Sequence, residues 1–141
     1  MKGKPEDRKW FLYAIPAAFA AGIANVMLFF LFMVVYGHVI DPGHPESHYE
    51  EAAGRFGPYA SIIGGIPIMY LVGVLLRRRL GGNAVKTANA AWANYVTVDM
   101  AIVAAVGQFA SLLPHIVISF ASKLIAVYFG ARPRKIETRE S

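Results

Sequence analysis

The stretch that decides the fold is Trp10–Tyr36, WFLYAIPAAFAAGIANVMLFFLFMVVY, which runs for 27 residues without a charged side chain. As a helix it would be about 40 Å long, which exceeds the roughly 30 Å hydrocarbon core of a bilayer. A helix of this length and composition crosses a membrane with tilt, or extends past one interface. We therefore predict an integral membrane protein whose first span covers about 10–36.

Further apolar segments follow this span along the chain, at about 58–76, 87–109 and 114–130. The interval 87–130 would be roughly 66 Å long as a single helix, twice the thickness of the hydrocarbon core. We therefore place a helix break at Pro114, which lacks a backbone N–H. The chain, 1–141, is predicted to be one all-α domain of four transmembrane helices in an antiparallel bundle.

The charged residues agree with this alternation. Of the 14 Lys and Arg residues, 12 fall on the side of both termini and the second connection, one, Arg55, falls on the other side, and Lys123 lies inside a span. Short loops rich in Lys and Arg stay in the cytoplasm. Both termini, including the basic tail 131–141, are therefore expected to be cytoplasmic, and the acidic first loop is expected to face outward. The expected location is the cell (inner) membrane.

The composition excludes several classes of protein. Apolar residues make up 56% of the chain and charged residues 16%, the reverse of a disordered protein. The absence of cysteine excludes disulfide scaffolds, thiolate nucleophiles and cysteine-rich metal sites. The net charge of +5 follows from the cytoplasmic flanks, so the expected partner is the lipid bilayer and not nucleic acid. The chain carries no recognised catalytic motif, and this favours a protein that is not an enzyme.

Two charged residues lie inside predicted spans. Asp99 is near the middle of the third span, and Lys123 is in the fourth, at a depth that differs by about 7 to 8 Å on the helical rise. Ionisable groups at this depth are costly unless they are paired, neutral or hydrated. The pair can be an ion pair that fixes two helices, or it can be part of a proton or ion site.

The fourth span also carries a polar stripe along one helical face. Its members are spaced at i, i+4, i+7 and i+8, namely His115, Ser119, Ser122 and Lys123. Exchangeable groups at successive depths are what a proton or small-cation path requires. The opposing interpretation is that the serines bond to their own helix backbone. Asn94 of the third span is a further candidate for this path.

Small residues recur at four-residue spacing, for example Ala14 and Ala18 in the first span and Gly57, Ser61 and Gly65 in the second. Such rows let helix backbones approach closely in lipid. They are expected to pack within the bundle, or to form a homo-oligomer or a contact in a larger membrane complex. Asn25 is expected to hydrogen-bond from the first span to the third.

The first loop contains a candidate metal site. A short amphipathic helix is predicted after Pro45, with His44, His48 and Glu51 on its polar face. Two histidines at i, i+4 and a carboxylate at i+7 can converge on one divalent metal ion. His38, Asp41 or His115 could complete the site. The alternative is a solvated helix on which Glu51 pairs with Arg55.

Two functional hypotheses follow from these residues. The first is a structural or accessory subunit, or a small transport element, built around Asp99 and Lys123. The second is an outward-facing metal or redox site on the loop histidines, and an enzyme with its catalytic centre at this site is one version of this hypothesis.

Overall fold

The computed structural model describes residues 9–107 and 109–133, and every regular element within them is helical. The elements in chain order are α1 (Lys9–Val35), a π-helical turn (Tyr36–Ile40), α2 (Glu46–Leu80), a 3₁₀ turn (Gly81–Asn83), α3 (Ala84–Val106) and α4 (Phe109–Ala131). The predictions for the basic N-terminal residues and for the tail beyond Pro133 lie outside the described residues.

Three helical stretches are long and apolar enough to cross a membrane, Trp10–Ile40, Glu46–Ala105 and Ala110–Ala131. The second of these comprises α2, the 3₁₀ turn and α3. Large apolar side chains cover the outside of α1, where Leu12, Val26 and Phe30 are 68%, 67% and 63% exposed. A continuous apolar surface of this kind suits lipid as the surrounding solvent. The all-helical class is thus confirmed, and three helical stretches have the length and composition that membrane crossing requires.

The region before the second span differs from its prediction. Instead of a separate amphipathic helix, α2 begins at Glu46 and passes through Pro58 without interruption. A proline removes one helical hydrogen bond, but continuation of the helix keeps Phe56 against aromatic residues of α1 and of the π-helical turn that follows it. The ring centroids of Phe56 lie 5.7 Å from Phe32 and 5.3 Å from Tyr36.

The break between α3 and α4 lies at Gly107 and not at Pro114. Gly107 has φ 73° and donates its N–H to the Ala104 carbonyl at 3.2 Å. A positive φ suits glycine, which carries no Cβ, so this residue ends the helix. Pro114 lies in the second turn of α4, which begins at Phe109. There the proline costs one backbone hydrogen bond near a helix end.

Small residues make the helix contacts, as the sequence predicts. Alanines are buried in α1 and in α3, which pack on each other (Ala14, Ala18 and Ala21; Ala84, Ala88 and Ala91). The most extensive contact joins α2 to α4. This contact is closest near the C-terminal end of α4. A Cβ added to Gly130 would come 3.1 Å from the Gly73 Cα and closer still to the Tyr70 carbonyl oxygen. The two backbones therefore touch at a point where only glycine fits.

Candidate functional site

A fully buried lysine lies at the centre of the helix bundle. Lys123 of α4 has 0% exposure. Its Nζ donates hydrogen bonds to the Oγ of Ser61 at 3.0 Å and to the hydroxyl of Tyr95 at 2.9 Å. The Nζ also lies 4.7 Å from the centroid of the Tyr95 ring, within the range of a cation–π contact. The lysine thereby joins α4 to both α2 and α3.

The remaining helix joins this lysine through Asn25. The Nδ2 of Asn25 donates to the Tyr95 hydroxyl at 3.3 Å and to the Ser61 Oγ at 3.4 Å. We call these four residues, Asn25, Ser61, Tyr95 and Lys123, the central polar cluster. Each of the four helices contributes one member. Asn25 does bond to α3, as expected from the sequence, and its partner there is Tyr95.

A glycine makes the space in which Lys123 lies. A Cβ built on Gly65 would overlap the Cε of Lys123 and lie 3.1 Å from its Nζ. Gly65 belongs to the small-residue row that the sequence analysis assigns to helix packing. In the structure it accommodates the stem of a buried polar side chain.

Asp99 does not contact Lys123. Within the described residues, the Asp99 carboxylate forms no hydrogen bond and no ion pair shorter than 4 Å. The Nζ of Lys123 is bonded to Ser61 and Tyr95 instead. One hydroxyl comes from α2 and the other from α3, the helix that also carries Asp99, and together they take the place that the predicted ion pair gives to the carboxylate.

Asp99 lines two cavities, one on each side of α3. The first has a volume of about 220 Å³ and is bounded by α2, α3 and α4 (Gly57, Pro58, Ser61, Asp99, Val103, Leu112, His115, Ile116 and Ser119). The second, about 420 Å³, lies between α1 and α3, and its polar lining consists of Asn25, Asn94, Tyr95 and Asp99. The carboxylate is therefore common to both spaces.

Two residues that line the smaller cavity, His115 and Ser119, carry buried polar atoms without a partner among the described residues. Ser119 is 5% exposed, and neither its Oγ nor the Nδ1 of His115 has a hydrogen-bond partner in the part of the chain that the structure describes. Buried polar atoms normally have a partner in protein or water. The cavity itself, at about 220 Å³, has room for several water molecules.

Two other predicted path residues bond to their own helices. The Ser122 Oγ donates to the Ser119 carbonyl at 3.0 Å, and the Asn94 Nδ2 donates to the Ala90 carbonyl at 2.9 Å. This is the local bonding that the opposing interpretation expected for serine. Of the predicted stripe, His115 and Ser119 line the smaller cavity, and Lys123 lies in the central polar cluster.

A second polar group lies in the loop between α1 and α2. The Nε2 atoms of His44 and His48 lie 3.0 Å and 2.9 Å from the two carboxylate oxygens of Asp41. The ligating atoms of these three residues all lie within 4.8 Å of one another. We call them the loop triad. Asp41 accepts hydrogen bonds that hold the pKa of its carboxyl below its usual value, and the bond from His48 contributes more than the bond from Tyr36.

Glu51 is not part of this triad. Its carboxylate accepts a hydrogen bond from Arg55 at 3.1 Å, and both side chains are largely exposed. The spacing of i, i+4 and i+7 brings His44, His48 and Glu51 together only where the helix already includes His44. In the structure α2 begins at Glu46, and a turn with Gly43 at φ 90° folds Asp41 back onto the histidines. Asp41 is therefore the carboxylate beside His44 and His48, where the spacing of the sequence predicts Glu51.

Tyr49 ties the loop triad to the helix. Its hydroxyl donates to the Asp41 carbonyl at 2.9 Å and accepts the His44 backbone N–H at 3.2 Å. His38 bonds to the Val34 carbonyl at 2.9 Å and does not join the triad.

Comparison of the chain with protein-family models, with curated proteins and with solved structures found no match.

Proposed function

We propose that this chain is a four-span transport element of the cell (inner) membrane that carries protons through the polar centre of its bundle. The observation that carries the proposal is the separation of Lys123 from Asp99. An ion pair whose role is purely structural brings its two charges into contact, because only close contact offsets their desolvation. Here the lysine bonds to neutral hydroxyls, and the carboxylate faces two cavities.

The topology in this proposal rests on helix length and charge. The 35 residues of α2 make a helix of about 52 Å, so it crosses the hydrocarbon core and extends beyond it. The stretch Glu46–Ala105 changes direction at Gly81, which has φ 52°, and α3 packs back against α2. This supports two crossings in that stretch and four in total. Arg77, Arg78, Arg79 and Lys86 near this turn support a cytoplasmic position for it and for both termini.

The proposed proton route uses both cavities. A proton enters the smaller cavity from the outer side, past His115 and Ser119, and binds the Asp99 carboxylate. It leaves through the larger cavity, past Asn94. Burial favours the protonated carboxyl and the positive charge of Lys123 favours the carboxylate, so that in this proposal Asp99 both binds and releases the proton. Each passage returns Asp99 to its starting protonation state.

Proton flux in liposomes tests this function. The purified protein is reconstituted with a pH-sensitive dye in the lumen, and a potassium diffusion potential drives proton entry. We expect Asp99→Asn and Lys123→Met to reduce the flux to that of protein-free liposomes. Thr97→Ala is the matched control, because Thr97 lies on the same helix and its exposed hydroxyl bonds only to the Ala93 carbonyl.

The proposal fails if the wild-type protein gives no flux above protein-free liposomes, or if both variants conduct as well as the wild type. The variants are compared only after circular dichroism and size-exclusion chromatography show the same helical content and the same particle size as the wild type.

One observation favours a second function, that of a structural or accessory subunit. The central polar cluster joins all four helices, and such a cluster can fix the bundle as a rigid unit in a homo-oligomer or a larger membrane complex. Co-purification from native membranes after mild solubilisation tests it. A stoichiometric protein partner without proton flux would favour this function over transport.

A further inference from the structure

The loop between α1 and α2 presents three metal-ligating groups at one point. The side chains of Asp41, His44 and His48 are 36%, 44% and 37% exposed, so that an ion reaches them directly from solvent. The imidazole rings of the two histidines stack with their centroids 4.2 Å apart. Their Nε2 atoms therefore lie side by side, each next to one oxygen of the same carboxylate.

We propose that the loop triad is a binding site for one divalent transition-metal ion of the zinc class. Zinc bonds of about 2.0–2.2 Å to nitrogen and oxygen place ligand atoms roughly 3.4 Å apart in a tetrahedral site. The triad atoms lie within 4.8 Å of one another, so that small side-chain rotations bring them to this spacing. The fourth position remains open to water.

The donor set selects the kind of ion. Two imidazole nitrogens and one carboxylate oxygen suit zinc and its first-row neighbours, whereas magnesium and calcium prefer oxygen ligands alone. When the ion binds through Nε2, each neutral imidazole carries its single proton on Nδ1. The ion then replaces the hydrogen bonds that join both rings to Asp41.

The surroundings of the triad orient its ligands. The Tyr36 hydroxyl donates to a carboxylate oxygen of Asp41 at 3.1 Å, and Tyr49 fixes the backbone of the same residue. Outer groups of this kind orient metal ligands and raise metal affinity. Tyr36 and Tyr49 belong to different helical elements, so the loop is fixed from both of its ends.

Equilibrium dialysis of the full-length protein in detergent against zinc chloride, followed by elemental analysis, tests the site. We expect one zinc ion per chain. Replacement of a ligand, by Asp41→Asn or by His44→Gln with His48→Gln, should weaken binding by more than the roughly 10- to 100-fold cost of losing a group that only orients a ligand.

Two matched variants separate this site from the other candidates in the same region. Glu51→Gln removes the carboxylate that pairs with Arg55, and His38→Gln removes the histidine that bonds to Val34. Both should bind zinc as the wild type does. X-ray absorption of the zinc-loaded wild type should show two imidazole ligands, and this measurement does not depend on the folding of any variant.

The proposal is overturned if the wild type binds less than stoichiometric zinc, if the ligand variants keep wild-type affinity, if Glu51→Gln loses the ion, or if absorption shows other than two imidazoles. Proton flux is measured separately, so failure of the metal site leaves the transport proposal standing, and the converse also holds.

Discussion

The Nζ of Lys123 and the hydroxyl of Tyr95 are 2.9 Å apart, and this contact joins α4 to α3 in the interior of the bundle. Both side chains are buried. A lysine in such a position depends on hydrogen bonds to replace the water that it has lost. The Tyr95 hydroxyl therefore replaces part of the hydration that Lys123 loses on burial.

Tyr95→Phe should reduce the free energy of unfolding by about 1–3 kcal/mol, because it leaves the buried lysine with one acceptor fewer. Unfolding in mixed detergent micelles measures the change. In a Lys123→Met background the same substitution should cost less, with a coupling energy of about 0.5–3 kcal/mol. Equal costs in the two backgrounds would show that the two side chains are energetically independent.

Gly65→Ala should destabilise the protein by about 1–3 kcal/mol, because the added methyl group displaces the Lys123 stem from a packed position. Gly54→Ala is the control, since a Cβ there meets nothing within 4 Å and alanine favours a helix. Thermal unfolding followed by circular dichroism should show a lower midpoint for the first variant only. If the midpoints of both variants match the wild type, the stem of Lys123 does not lie against Gly65.

Gly130→Ala should also be destabilising, and for a different reason. Its methyl group would meet the backbone of α2 at Tyr70 and Gly73, and a backbone cannot rotate away as a side chain can. The two helices must move apart, and we expect a loss of at least about 1–3 kcal/mol. The same thermal assay measures it, and unchanged stability would mean that α2 and α4 do not approach at this point.

The absence of native cysteine makes topology directly measurable. A single cysteine at Glu46 should react with a membrane-impermeant maleimide added outside intact cells. One at Arg78 should react only after the membrane is permeabilised. This pattern follows from the four-span topology with a cytoplasmic α2–α3 turn. Labelling of both positions from the same side would exclude that topology.

Tyr49→Phe should weaken zinc binding by about tenfold, because the loop loses the hydroxyl that fixes Asp41 while keeping every proposed ligand. Competition with a zinc-sensitive dye measures the affinity. Tyr59→Phe serves as the control, since Tyr59 packs on His115 and not on the loop. Zinc affinity that is unaffected by Tyr49→Phe would show that the loop needs no support from this hydroxyl.

The helical class follows from the sequence because a long charge-free run such as Trp10–Tyr36 has few alternatives to a membrane helix. The helix boundaries were harder to predict. Pro114 is the stronger helix breaker by residue type, but α4 continues through it at the cost of one backbone hydrogen bond. The break lies instead at Gly107, whose positive φ cannot be inferred from composition.

The polar partners could not be predicted from spacing along one helix. The similar depths of Asp99 and Lys123 predict a pair, but the partners of the lysine are Ser61 of α2 and Tyr95, which lies on the same helix as Asp99. Ser61 was counted as a packing residue, and Tyr95 was not singled out. In the loop, the sequence predicts the two histidines correctly. Which carboxylate lies beside them depends on where α2 begins, and because α2 begins at Glu46 that carboxylate is Asp41 and not Glu51.

The hydrogen bonds of Lys123 to neutral hydroxyls have a consequence for the cohesion of the bundle. Since Ser61 and Tyr95 carry no charge, the links that join the four helices do not require Asp99 to be ionised. The central polar cluster and the Asp99 carboxylate thus share no hydrogen bond in the described structure. The carboxylate can change its charge without breaking any of the bonds within the central polar cluster.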